Sequence, residues 1–149
     1  MSKLSDLPQD FLKEGHCIQK SASGTSMLPS ITDGTVLQIE PLQHDSVRLG
    51  DVVYFLDNNG NTKIHRVSCI INKGNNSLIQ TWGDNCENPD AVIKSSQILG
   101  RVVAYRGENE WHQMDSRVFV YTKYFFKRYG WHYIKKIPGR LLYVLNQHK

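Results

Sequence analysis

The chain of 149 residues has few cysteines and no long apolar run. Its three cysteines, Cys17, Cys69 and Cys86, form no C-x-x-C pair, so we expect buried free thiols in a reducing compartment rather than disulfides. No apolar stretch approaches the roughly 20 residues of a membrane-spanning helix. Residues 1–15 carry three acids and lack the apolar segment of a signal peptide. The expected location is therefore cytoplasmic.

Acidic residues are missing from the last part of the chain. Residues 117–149 contain eight Lys or Arg and no Asp or Glu, whereas residues 1–116 contain the other ten bases and all 14 acids. This asymmetry predicts two parts, a β-rich domain over 1–116 and a basic, aromatic tail over 117–149. In the tail, residues 118–129 and 133–145 are predicted to be helical, divided at Gly130 and again at Pro138-Gly139.

Strand signals alternate with turn signals through most of the first part. A mainly β fold is therefore predicted, either a barrel or a coiled sheet, with the helical basic tail at its C-terminal end. An Asn-Gly pair within residues 57–61 predicts a hairpin, and Gly100 predicts a β-bulge. A short helix is predicted over residues 6–14. The predicted strands cover residues 16–22, 35–39, 52–56, 62–71, 78–82 and 98–105.

A constrained turn, Gly-Thr-Ser-Met-Leu-Pro-Ser-Ile at residues 24–31, offers a nucleophile. Gly24 permits backbone conformations that a Cβ forbids, and Pro29 restricts its own φ and the residue before it. Ser26 is thus held in a rigid turn and becomes nucleophilic if a base lies beside it. The alternative is an ordinary surface turn, since Ser, Gly and Pro are common turn residues.

Two side chains of one predicted strand are candidates for that base. His65 lies mid-strand, and an imidazole ordinarily titrates near pH 6.5, which suits proton transfer at neutral pH. Lys63 is the rival, because it lies two residues earlier on the same face. The alternatives are a half-buried packing histidine and a solvated lysine beside the hairpin turn.

Two aspartates, Asp84 and Asp90, lie in the turn-rich loop that follows Trp82. Either carboxylate can accept a proton from the histidine ring and hold its tautomer. Either can instead brace the loop by accepting backbone N–H groups. The sequence leaves that choice open.

Four blocks in this order resemble the signal peptidase I superfamily, which also contains the LexA-like self-cleaving repressors. The blocks are the serine turn, Arg-Leu-Gly-Asp-Val-Val-Tyr-Phe at 48–55, Ile-His-Arg-Val at 64–67, and Gly-Asp-Asn at 83–85 followed by Asp90. The resemblance covers residues 22 to 105. It is nearest to the Ser-His branch, the endoplasmic-reticulum, archaeal and sporulation-type signal peptidases, because His65 stands where typical bacterial enzymes have lysine.

The resemblance implies a serine endopeptidase with a signal-peptidase or LexA-like catalytic fold. It makes Ser26 the nucleophile, His65 the general base, Asp90 the third catalytic residue and Asp84 a companion acid. An extended peptide or precursor segment would be cleaved through an acyl-enzyme. No cofactor or metal is implied.

The resemblance also implies a substrate cleft, with departures. Met27 and Pro29 would shape the cleft, and strand residues around Gly24 and Val53 would pair with the substrate. Gly24 replaces the serine that usually helps to bind the oxyanion, so the donors are expected from the backbone or from Ser23. The membrane anchor of signal peptidases has no counterpart in this sequence.

Several alternatives remain at this point. One is a LexA-like cytoplasmic peptidase that processes itself or a precursor, and another is a non-catalytic module that binds peptides or membranes. The tail at 117–149 either contacts the inner membrane face peripherally or packs on the β domain. Specific nucleic-acid binding is not expected, since no recognition motif accompanies the charge. A zinc site from His65, Cys69 and Cys86 matches no standard spacing.

Overall fold

A computed structural model describes residues 7–42, 46–71 and 77–114 of the chain. Within these residues, eight strands form one antiparallel sheet that curls into a half-barrel, which confirms the predicted mainly β fold. One helix, α1 (Leu7–Lys13), precedes the sheet. The strands are β1 (Ile18–Ser21), β2 (Val36–Pro41), β3 (Val52–Leu56), β4 (Thr62–Ile71), β5 (Leu78–Trp82), β6 (Ile93–Lys94), β7 (Ile98–Arg106) and β8 (Trp111–Gln113).

The order of strands in the sheet is β1-β2-β7-β3-β4-β5-β6, with β8 paired to the far end of β7. The β3–β4 hairpin places Val53 opposite His65, and β4 then pairs with β5 so that Arg66 lies opposite Trp82. Long strand β4 therefore carries the Ile-His-Arg-Val block through the middle of the sheet. The described residues all belong to one compact unit, Met1–Ser116. The predicted tail helices at 118–129 and 133–145 lie outside the described residues.

Most strand predictions agree with the structure to within two residues at each end. β4 and β5 begin and end where predicted. The short strands β6 and β8 were not predicted, because two or three residues are too few to show a period-two pattern. The predicted irregularity at Gly100 is present: the β3–β7 register shifts as Tyr54 pairs with Gly100 and Phe55 with Ile98.

Two groups of buried apolar side chains form the core. The first surrounds Leu37, Ile39, Val52 and Tyr54 and includes Met27 and Ile31 from the serine turn. The second lies around Phe55, Val67 and Ile79, with Val53, Ile93 and Ile98. β3 contributes to both groups because its alternate side chains leave opposite faces of the sheet. The serine turn is thereby anchored in the first group.

Helix α1 packs on the sheet through Leu12. Leu12 is 2% exposed and belongs to the first core group, whereas neighbouring Phe11 is 49% exposed. Leu12 lies beside Gly100 of β7: a Cβ built on Gly100 would be 3.2 Å from Leu12 Cδ2 and 2.6 Å from the Glu40 carbonyl oxygen. Glycine is therefore required where α1, β2 and β7 meet.

The cysteines are free thiols, but their predicted burial is wrong. Cys17 is exposed, and Cys69 and Cys86 are half-buried. Cys17 lies just before β1. This strand is at one edge of the sheet, because among the described residues it pairs with no strand other than β2. Within the described ranges, no helix is long and apolar enough to cross a membrane.

Leu12→Ala tests whether α1 is an integral part of the core. We expect the free energy of unfolding to fall by about 2–5 kcal/mol, because a buried leucine is replaced by a cavity. Phe11→Ala is the matched control on the same helix and should cost about 1 kcal/mol or less. Urea unfolding followed by tryptophan fluorescence measures both variants. Equal losses would mean that α1 does not bury Leu12 in solution.

Candidate active site

The serine turn is held by backbone hydrogen bonds and two buried side chains. The Ile31 amide donates to the Met27 carbonyl at 2.9 Å, and both side chains are buried. Gly24 has φ +88°, a conformation that favours glycine, and its amide donates to Asp33 Oδ1 at 2.7 Å. Ser26, half-buried between these anchors, turns its hydroxyl toward β4.

The peptide bond between Leu28 and Pro29 is cis. Pro29 itself is exposed and is not among the residues that line the groove beside Ser26. Pro29 therefore shapes the turn and, contrary to the expectation, does not line the substrate cleft. Met27 does line that groove.

Ser26, His65 and Asp90 form a continuous chain of hydrogen bonds. His65 Nε2 lies 3.0 Å from Ser26 Oγ, and His65 Nδ1 lies 2.6 Å from Asp90 Oδ2. The His65 side chain is 9% exposed and the Asp90 side chain 16%, so little water competes for either contact. These distances are hydrogen-bond distances, at which a base can take a serine hydroxyl proton while the acid holds the ring in the required tautomer.

The surroundings of Asp90 favour its ionised form. Burial alone raises the pKa of this carboxyl, but hydrogen bonds from His65 and Thr81 and the charges of His65 and Lys63 together outweigh burial, so the pKa lies below its ordinary value. Thr81 Oγ1 donates at 2.8 Å, and Lys63 Nζ lies 3.6 Å away. An ionised carboxylate only accepts hydrogen bonds, so His65 donates from Nδ1, and in the neutral ring Nε2 is then the acceptor for the Ser26 hydroxyl.

Asp84, the other predicted acid, is used differently. Its carboxylate receives two hydrogen bonds from Arg66, from Nε at 3.0 Å and from Nη2 at 2.8 Å. Arg66 Nη1 also donates to the Gly50 carbonyl at 3.0 Å, and the side chains of Arg66 and Asp84 are only 2% and 5% exposed. Asp90, not Asp84, therefore contacts His65, and Asp84 braces the loop that carries Asp90.

The same loop also holds the serine turn. The Asn85 amide donates to the Ser26 carbonyl at 2.7 Å, and Asn85 Nδ2 donates to the Thr25 carbonyl at 3.2 Å. At Gly83 there is no room for a side chain: a Cβ would lie 2.8 Å from the Ser26 carbonyl oxygen and 3.0 Å from His65 Nε2. Gly83, Asn85 and Thr81 are thus site residues to which the sequence analysis assigned no role. The Gly-Asp-Asn block was the available signal for the first two.

A groove of about 230 Å³ opens beside Ser26 and His65. It is lined by residues 20–24, by residues 62–65 at the start of β4, and by Met27, Ile31 and Tyr54. Ser23 lies in this lining and is exposed. The groove is small and mostly uncharged, which suits a short length of extended chain.

Two expectations about substrate contacts need correction. Val53 pairs with His65 on one side and with Arg101 on the other, so its backbone is enclosed between β4 and β7 and does not offer an edge to a substrate. The Gly24 amide is bonded to Asp33 and is not a free oxyanion donor. The Ser26 amide has no hydrogen-bond partner among the described residues, so it is a backbone donor left available at the serine turn.

The rival base and the rival metal site are not assembled. Lys63 Nζ lies 3.4 Å from Asp57 Oδ2 and 3.6 Å from Asp90 Oδ1, so its ammonium contacts carboxylates and not the Ser26 hydroxyl. In residues 7–42, 46–71 and 77–114, no group of three or more His, Cys, Asp and Glu side chains could hold a metal ion.

No protein-family model matches the chain, and a comparison with curated proteins finds no match. The resemblance to signal peptidases therefore depends on the four sequence blocks.

Asp84→Ala tests the buried ion pair. We expect the free energy of unfolding to fall by about 3–5 kcal/mol, because Arg66 keeps a buried charge without its partner. Asp10→Ala, which removes an exposed ion pair to Lys13 at 3.9 Å, is the control and should cost at most about 1 kcal/mol. Urea unfolding of both variants gives the comparison. A loss at Asp84 no larger than at Asp10 contradicts the bracing role.

Asp90→Asn tests the ionised state of the orienting acid. Because the pKa of folded Asp90 lies below its ordinary 3.8, its ionised form stabilises the fold above that pH, and the contribution disappears as pH falls through the folded value. We expect the variant to be less stable than the unaltered protein by about 1–3 kcal/mol at neutral pH. Unfolding measured at several pH values should show this difference shrinking below about pH 4. A difference that does not change down to about pH 2 would be the contrary result.

Proposed function

We propose that the chain is a serine endopeptidase that cleaves an extended peptide or precursor segment, as signal peptidases do. The observation that carries the proposal is the hydrogen-bond chain from Ser26 Oγ through His65 to Asp90 at the edge of a groove. The same three residues stand at the catalytic positions of the Ser-His signal peptidases that the sequence resembles. Geometry and resemblance are independent supports.

In the first half of the reaction, Ser26 Oγ attacks the carbonyl carbon of the scissile bond. His65 Nε2 takes the hydroxyl proton, and Asp90 stabilises the imidazolium through Nδ1–H. When the tetrahedral intermediate collapses, the C–N bond breaks and His65 returns that proton to the leaving amine. The product is an ester between Ser26 and the acyl part of the substrate.

In the second half, water hydrolyses that ester. Water gives one proton to His65 Nε2 while its oxygen attacks the ester carbon. The proton then passes to Ser26 Oγ as the carboxylic acid leaves. The enzyme ends in its starting protonation state, so no metal or cofactor is needed to balance the cycle.

The oxyanion of each intermediate needs nearby donors. The Ser26 amide supplies one, since no described residue accepts its proton. The Ser23 hydroxyl, which lines the groove, is the candidate for the second. Gly24 contributes no donor because its amide is bonded to Asp33.

The substrate backbone is held by strand addition. β1 pairs only with β2, so its outer edge is free of any other described strand, and residues 20–24 continue from it along the groove. An extended peptide laid beside these residues exchanges main-chain hydrogen bonds with them and presents its carbonyl to Ser26.

A fluorophosphonate reagent that acylates nucleophilic serines tests the proposal. We expect labelling of the unaltered protein, none in Ser26→Ala, and a rate lowered about 10³–10⁴-fold in His65→Ala and Asp90→Asn, since each loses the base or its tautomer. Intact mass spectrometry measures the adduct.

Ser30→Ala is the matched control, because Ser30 belongs to the same turn but does not line the groove. It should label at the normal rate. Equal labelling of Ser26→Ala would assign the reaction to another nucleophile. A folded protein that is not labelled at all would favour a peptide-binding module without catalysis.

A further inference from the structure

The groove beside Ser26 carries an unbalanced positive charge. Its described lining includes two lysines, Lys20 and Lys63, and no Asp or Glu. Lys63 is balanced, because Asp57 lies 3.4 Å and Asp90 3.6 Å from its ammonium. Lys20 forms no ion pair with any Asp or Glu of the described residues. Among the described residues, one cation of the groove is therefore left without a carboxylate partner.

Lys20 is held at the groove and does not extend freely into solvent. Its side chain is half-buried on β1, and Nζ lies 5.7 Å from the centre of the Tyr54 ring. Tyr54 is 2% exposed and also lines the groove, so the ring that attracts the ammonium is part of the groove. An ammonium in this position keeps N–H donors for a further partner.

The surroundings of Lys20 suit the side chain of an acidic residue. Met27, Ile31 and Tyr54 supply apolar contacts for methylene groups, and Lys20 supplies the counter-charge. An extended peptide along residues 20–24 turns alternate side chains toward the groove. One such side chain can reach Lys20 while the backbone lies beside the strand.

We propose that Lys20 binds a side-chain carboxylate of the substrate, so that the groove selects peptides with Glu or Asp near the scissile bond. This proposal rests on the proposed peptidase function, because the bound peptide is a substrate only if the protein cleaves it. It adds a specificity-determining residue that acts through charge, in a groove whose other lysine, Lys63, is already paired with carboxylates.

Binding to the inactive Ser26→Ala protein is the first measurement. The probes are acetylated and amidated hexapeptides of Ala and Ser that carry a single Glu, or the isosteric Gln, at each position in turn. At the position that reaches Lys20, we expect Glu to bind about tenfold more tightly than Gln, because a charge-assisted contact replaces a neutral one at a half-exposed site. The preference should weaken between about 50 mM and about 500 mM salt.

Substitutions then assign the preference to Lys20. In the Ser26→Ala background, Lys20→Met should abolish the difference between Glu and Gln, and Lys20→Glu should reverse it. Lys94→Met removes an exposed lysine from β6, which does not line the groove, and should keep the preference. A preference that survives in Lys20→Met would overturn the proposal, as would equal binding of Glu and Gln at every position.

A further arm separates side-chain from terminal carboxylates. The all-neutral peptide with a free C-terminus should bind no better than its amide. Tighter binding of the free acid that depends on Lys20 would replace the proposed ligand with a peptide C-terminus.

Acylation of the protein with intact Ser26 by the uncharged fluorophosphonate reagent reports separately on the peptidase proposal. A Lys20-dependent Glu preference without acylation would leave the acidic-peptide site standing and remove the peptidase function. Acylation with no Glu preference would support the peptidase function and overturn the acidic-peptide site.

Discussion

The buried ion pair between Arg66 and Asp84 is the contact on which the candidate site depends. It joins β4 to the loop at residues 83–90 through two hydrogen bonds that are almost wholly shielded from water. That loop also carries the Asn85 amide to the serine turn and Asp90 to the histidine ring. Arg66 therefore anchors the loop that contacts Ser26 and carries Asp90, the two ends of the hydrogen-bond chain.

Two adjacent residues of strand β4, His65 and Arg66, make different contacts. Successive side chains of a strand leave opposite faces, so His65 contacts Ser26 and Asp90 while Arg66 contacts Asp84 and the Gly50 carbonyl. Both side chains are buried. The chemistry and its support are thus one residue apart, and a shift of register by one would exchange them.

The two lysines that line the groove differ in their carboxylate partners. Lys63 helps to keep Asp90 ionised and is itself balanced by Asp57, so it stabilises the orienting acid without offering a base to Ser26. Lys20, on β1, has no such partner among the described residues. In our proposals, Lys63 supports the reaction by keeping Asp90 ionised, and Lys20 selects the peptide.

Local sequence was sufficient for much of the fold. β4 and β5 were predicted to the residue because each combines β-branched or aromatic residues with clear turn signals at its ends. β6 and β8 were not predicted, because a segment of two or three residues forms a strand only by pairing with a neighbouring strand. The exposure of Cys17 also escaped prediction, because burial depends on which strand lies at the sheet edge.

For the site, the sequence by itself determined the candidate groups: a serine in a constrained turn, a histidine in mid-strand and two acids in one loop. Only the tertiary structure decided their partners. Asp84 and Asp90 are six residues apart in a loop without regular periodicity, so the path of the loop, and not its composition, brings Asp90 to His65 and Asp84 to Arg66. Hydrogen bonds join atoms distant in sequence, and such pairings exist only once the sheet has formed.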